Sequence, residues 1–167
     1  MSSASLRHAP TSPDTQQAFA DALVATGEQS FFAYVSVCSE PATLDAMAPV
    51  QAWFRASVAY DASVSGRLTV LLPEALTREL QAAFLGELPE AEVPESDLRD
   101  LAGEFANVLC GSYLTRQCPD TAVPLDAPTV AHLEGDPGRP WAGASCTVFA
   151  TMNDHPLVLW FDAERGQ

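Results

Sequence analysis

The longest regular pattern of apolar and polar positions lies between Asp97 and Tyr113. Taken at about 100° per residue, Leu98, Leu101, Ala102, Phe105, Val108, Leu109 and Tyr113 share one arc, while Asp97, Asp100, Glu104, Asn107 and Gly111 form a narrow stripe beside it. The spacing predicts a helix with one face made to bury. Ser96 or Asp97 can cap its start, and the acids fall in its first turns, where the helix dipole favours negative charge. Asn107 is the residue that asks for a reason, because asparagine is a mediocre helix former. An acidic stripe on an amphipathic helix is ordinarily a solvated face, so the stripe by itself specifies no chemistry.

The rest of the chain divides around this helix. Residues 1–13 are rich in Ser, Ala, Thr and Pro without periodicity and read as a flexible tail, which leaves 14–167 as one domain. From Pro13-Asp14 onward, Phe19, Ala22, Leu23, Thr26 and Ser30 recur at helical spacing. The aromatic and β-branched residues from Phe31 to Val37 fit either a continuation of that helix or a short strand. Ser39 to Pro49 reads as a loop with a short helical turn at most. Ala52 to Tyr60 and Arg67 to Leu72 are strand-like and adjacent, which predicts a hairpin. Pro73-Glu74 then opens a helix through Leu76, Leu80 and Phe84 that stops at Gly86. Four glutamates and two prolines between Glu87 and Glu95 make an exposed acidic linker. Beyond the central helix, Val123 to Leu133 holds two prolines and is an interrupted or edge strand. Ser145 to Met152 and Leu157 to Phe161 flank Asn153-Asp154-His155-Pro156 as a closing hairpin. Hairpins with helices grouped between them give an α+β plan, a mainly antiparallel sheet with long helices on one face.

Composition narrows the function classes. At 167 residues and 47% hydrophobic content the chain can bury one substantial core. Its 22 acidic residues against 8 basic ones give a net charge of −14, which argues against nucleic acid and against anionic membrane surfaces. The balance suits a partner that presents lysine or arginine, and it equally serves solubility. Cys38, Cys110, Cys118 and Cys146 form no Cys-x-x-Cys and follow no signal peptide, so free thiols in the cytoplasm are the simplest expectation, although an even number leaves two disulfides open. His8, His132 and His155 lack metal-ligand spacing, and no apolar run approaches the length of a membrane span. Ser145 is not followed by the glycine of a nucleophile elbow, and there is no glycine-rich phosphate loop. Cys110 and Cys118 have no sequence-local base, and Trp53, Trp141 and Trp160 read as core or interface aromatics.

Glu104-Phe105-Ala106-Asn107, with Asp100 four residues before the glutamate and Gly111 four after the asparagine, resembles the helix motif of the CheC/CheX/FliY chemotaxis phosphatases. That motif continues to a proline some twenty residues on, for which Pro128 is the counterpart here, slightly closer than the family spacing. The order of elements also agrees with the CheX-type fold from about residue 14 onward. In the same family a long first helix carries a Phe-Phe pair after an acidic residue, similar to Glu28 to Phe32, and on that likeness the first helix is expected to run to about Val37.

The resemblance implies a phosphatase for the aspartyl phosphate of a CheY-like response regulator. Phosphoryl transfer of this kind is mostly positioning and electrostatics, because the partner's own Mg²⁺ and lysine handle the phosphoryl charge. Asn107 would enter the partner's site and hold the attacking water, since an amide oxygen accepts from water while its NH₂ donates elsewhere. Glu104 would pair with the partner's lysine. Asp100, Asp97 and Gly111 would line the contact, Gly111 by allowing close backbone approach or else by serving helix packing, and Pro128 would shape the neighbouring strand. No cofactor or metal of its own is implied. The other repeat of the motif, present in the CheC and FliY branches, is missing, since Glu79-Leu80-Gln81-Ala82 has alanine where asparagine is required. One site per chain points to the CheX branch, whose members form homodimers. The alternative is a non-catalytic CheX-like adaptor that binds a receiver or flagellar-switch component.

Overall fold

The computed structural model describes residues 13–61, 65–88 and 92–163, and the expected N-terminal tail lies almost wholly outside them. Helix α1 (Pro13–Ala25) leads through one wide π turn, Thr26–Ser30, to strand β1 (Val35–Cys38) and helix α2 (Glu40–Met47). Strands β2 (Ala52–Tyr60) and β3 (Gly66–Pro73) follow, then helices α3 (Glu74–Leu85) and α4 (Glu95–Gln117), then strands β4 (Thr129–Glu134), β5 (Cys146–Met152) and β6 (His155–Ala163). The strands form one six-stranded sheet in the order β1-β5-β6-β3-β2-β4, every neighbouring pair antiparallel. This is the α+β plan that the pattern predicts.

Alternation along the strands sorts side chains to two faces. Phe54, Val58, Leu68, Val70, Leu72, Val148, Leu157 and Leu159 face a large core with Phe19 and Leu23 of α1, Leu76 and Leu80 of α3, and Leu98, Phe105 and Leu109 of α4. The long helices thus share one face. On the other face Met47 of α2 packs with Trp53, Leu71, Trp141, Val158 and Trp160, so the three tryptophans are core residues of a smaller second cluster.

Two expectations are corrected at the N-terminal end. The first helix does not reach Val37. It ends in the wide turn, where Gly27 O accepts from both Phe31 N (3.3 Å) and Ala33 N (2.9 Å) and the chain folds back over the turn. Gly27 makes that possible, because a Cβ there would stand 2.3 Å from Val35 Cγ2. Phe32 then adopts φ 53, which no helix continues through. The β-branched Val35 and Val37 pair instead with Met152 and Ala150 of β5. Ser39 to Pro49 is more than a turn. Ser39 Oγ accepts from Ala42 N at 3.4 Å, Pro41 occupies the first turn, and a helix of 8 residues forms.

The remaining boundaries follow local chemistry. Asn153 and Asp154, at φ 47 and 66, make the two-residue turn between β5 and β6. The proline-interrupted segment is an edge strand, as its sequence predicts, with Leu125 joined to Tyr60 by an isolated bridge and packed against the main core. Gly86 ends α3 in the left-handed conformation at φ 67. Helix α4 begins two residues before Asp97, with Pro94 at the cap position and no side-chain cap, so neither Ser96 nor Asp97 plays the capping part expected of them.

Candidate functional site

Helix α4 is anchored along its length. Leu98, Ala102, Phe105, Ala106 and Leu109 are fully buried, and the Phe105 ring lies 4.9 Å from that of Phe31. On the side toward β4, Arg99 is held by Glu95 at 2.8 Å and donates to Val130 O at 3.1 Å. Gly103 is buried on the same side, and a Cβ there would stand 3.2 Å from Pro128 Cγ. Pro128 therefore rests on the helix one residue before Glu104. Gly103 is the residue that leaves room for this approach. Gly111 is different, since a Cβ there meets nothing within 4 Å, and helix packing is not its purpose.

The polar stripe points away from this anchorage. Asp97, Asp100 and Glu104 are exposed, Asn107 and Gly111 half-buried, so all five share the solvent side of the helix as the periodicity predicts. Asp100, Glu104 and Asn107 make no side-chain hydrogen bond or ion pair among the described residues, while Asp97 accepts only from Ser96 at 3.4 Å. Helical geometry puts Asn107 about one turn beyond Glu104, rotated toward Gly103 and Pro128. On the opposite shoulder, Leu101 and Val108 turn toward α3. There a groove of about 550 Å³ opens between the helices, lined by Asp97, Asp100 and Glu104 on one side and by Gln81, Phe84 and Leu85 of α3 on the other, with Phe31 between them. The larger part of the groove wall was not singled out in the sequence, because its members come from three separate segments.

The chemistry that the site supports is narrow. Burial pushes the Cys110 thiol up to about 12 and the Cys146 thiol to about 11, which leaves both protonated and unreactive near neutrality. All four cysteines are free thiols. Among the described residues no three His, Cys, Asp or Glu side chains converge as a metal site, and no helix is long and apolar enough to cross a membrane. His132 and His155 serve as structural partners of α3, His132 Nε2 lying 2.7 Å from Glu74 and His155 Nε2 lying 2.8 Å from Glu79. Glu79, which opens the degenerate second motif, is further occupied by Asn153 Nδ2 at 3.3 Å. Among the described residues, the Glu104 carboxylate and the Asn107 amide stand without side-chain partners, one turn apart on this packed helix.

The model of the family described as chemotaxis phosphatase CheX matches residues 54–139, slightly over half of the chain and inclusive of α4 and Pro128. The chain belongs to the CheX family. Solved structures agree in fold. The chemotaxis protein CheX of Vibrio vulnificus superposes with a TM-score of 0.68 at 14% identity, covering 96% of this chain and 100% of that one. A CheX from Desulfovibrio desulfuricans gives 0.60 at 13% identity over 90% of this chain and 99% of that one. The CheX–CheY–BeF3–Mg²⁺ complex of Borrelia burgdorferi gives 0.56 at 11% identity, with 89% and 97% covered. No curated protein sequence matches the chain. The CheX fold is thus retained at identities too low to carry residue roles.

Proposed function

We propose that this member of the chemotaxis phosphatase family hydrolyses the aspartyl phosphate of a CheY-like response regulator. Asn107 places the attacking water, and Glu104 pairs with a cation of the partner. The observation that carries this reading is the pair itself, a carboxylate and an amide one helical turn apart on the exposed side of α4, neither with a side-chain partner among the described residues. The class of partner is taken from the Borrelia burgdorferi relative, whose structure is a complex with CheY. Asp97, Asp100 and Gly111 widen the contact, and the open space over Gly111 admits a partner's backbone. Pro128 fixes β4 against the helix.

The step needs little from this chain. Water attacks phosphorus in line, the bond to the aspartyl oxygen breaks, the carboxylate is regenerated and inorganic phosphate carries the water's proton away. The amide oxygen of Asn107 accepts one hydrogen of the water and fixes the direction of its lone pair. Mg²⁺ belongs to the receiver, and no cofactor of the phosphatase enters. A homodimer, which the single motif per chain suggests, would carry two such sites.

The test is the decay of a radiolabelled phospho-receiver from the same cell, alone, with the wild type and with Asn107→Ala. Wild type should speed decay, and the variant should lose about 100-fold or more of that acceleration while still binding. A wild type that binds without acceleration would give the adaptor reading its place.

A further inference from the structure

Glu104 faces two ways. Toward β4 lies Asn107, which the proposed reaction uses, and toward α3 lies the groove, which it does not. The groove's lining is mostly apolar apart from the acidic stripe, with Phe31 and Leu101 inside and Phe84 and Leu85 at its margin. Phe84 is 65% exposed and Leu85 52% exposed, and Leu88 just beyond them in sequence is 75% exposed. Phe32, next in sequence to the groove residue Phe31, stands 83% exposed with a backbone at φ 53 that bulky residues rarely adopt. An apolar groove such as the one lined by Phe31, Phe84, Leu85, Leu101 and Val108, bordered by charge, marks an interaction site.

We propose that this groove is the docking slot for the receiver, and that it takes an apolar side chain carried beside the cation that Glu104 engages. The inference rests on the proposed function for its partner, and the charges decide its chemistry. Asp97, Asp100 and Glu104 form one wall of the groove, and Asp100 and Glu104 have no side-chain partner among the described residues. Among the described residues no arginine lines the groove, and Arg78 of α3 and Arg99 of α4 are held by Glu74 at 2.7 Å and by Glu95. A second copy of so acidic a chain would meet like charge there, whereas a receiver with lysine or arginine beside an apolar side chain would satisfy both walls at once. Because Glu104 belongs to both the groove and the motif helix, whatever seats in the groove is automatically in register with Asn107. Phe84 and Leu85 are positioning residues, which select and hold the partner without touching the reacting atoms.

The experiment is steady-state phosphate release from a CheY-like receiver of the same genome, kept phosphorylated by acetyl phosphate, over a range of receiver concentrations. Phe84→Ser should raise KM by about tenfold or more, in the manner of an interface anchor, with kcat within about twofold of wild type. Asp100→Asn should raise KM by a smaller factor that shrinks as salt is added, while the Phe84→Ser effect persists. Leu85→Ser supplies an independent variant. Both side chains are already exposed, so circular dichroism should show an unchanged fold. If Phe84→Ser and Leu85→Ser keep the wild-type KM while Asn107→Ala is inactive, the groove proposal fails and the phosphatase reading stands. If the wild type neither binds nor accelerates, both fall together.

Discussion

Two glycines lie eight residues apart on α4 and answer to different neighbours. Gly103 sits under Pro128, so a side chain there must displace the proline ring, whereas Gly111 faces open space. Gly111→Ala should therefore stabilise the chain by about 1 kcal/mol in chemical denaturation, through helix propensity alone. If the receiver's backbone comes close at this point, the same variant lowers phosphatase efficiency while it raises stability. Gly103→Leu should destabilise by about 1–3 kcal/mol through overpacking against β4. Opposite signs from two glycine replacements on one helix would separate the packing surface from the docking surface. Only half of this was legible in the sequence. Helical periodicity is local, so the stripe from Asp97 to Gly111 could be placed without any tertiary contact. The distinction between the glycines depends on Pro128, which no spacing rule brings to Gly103.

Helix α3 is held to the sheet by a pair of carboxylates, Glu74 reaching His132 of β4 and Glu79 reaching His155 of β6. Burial alone would raise the Glu74 carboxyl, but hydrogen bonds from Arg78 and His132, with their charges, outweigh it and hold it below the usual value near 4.5. A carboxyl depressed in the folded state contributes stability that is complete above its unfolded value and disappears as pH falls through the folded one. The stability gap between wild type and Glu74→Gln, measured by urea denaturation, should be full above about pH 5 and close progressively below about 4.5. Comparison with the variant matters, because protonating the other acids relieves repulsion in both proteins equally. At this scale the sequence misled twice. The segment after Ser30 has the residues of a strand, and the wide turn that separates it from α1 depends on Gly27 receiving Val35 from above. Helix α2 hides in a proline-containing stretch, yet Ser39 followed by Pro41 is a helix start signal present in the sequence.

Across the whole molecule the two faces of the sheet have different tasks. One is closed by α1, α3 and α4 and positions the motif, while the other is only partly covered by α2 and the tryptophan cluster. With a net charge of −14, encounter with a basic receiver surface should be steered electrostatically, and the association rate should fall as ionic strength rises. Stopped-flow mixing at two salt concentrations would measure this. The homodimer suggested for this branch predicts twice the monomer mass in sedimentation equilibrium, and a monomeric result at micromolar concentration would remove it. Fold class was readable at this scale because hairpin signals and helical stretches occur in a fixed order, and that order suffices for an antiparallel sheet with its long helices on one side. The groove was not readable, since its walls meet only after the sheet has brought α3 and α4 side by side.

The carboxylate and the amide of α4 are three residues apart on a continuous helix whose buried side is packed from Leu98 to Leu114. Their spacing is therefore set by the pitch of the helix, a rise of about 4.5 Å, and not by the posture of any loop. The separation of the two backbone positions is thus fixed before any partner arrives, and altering it would mean unwinding the helix.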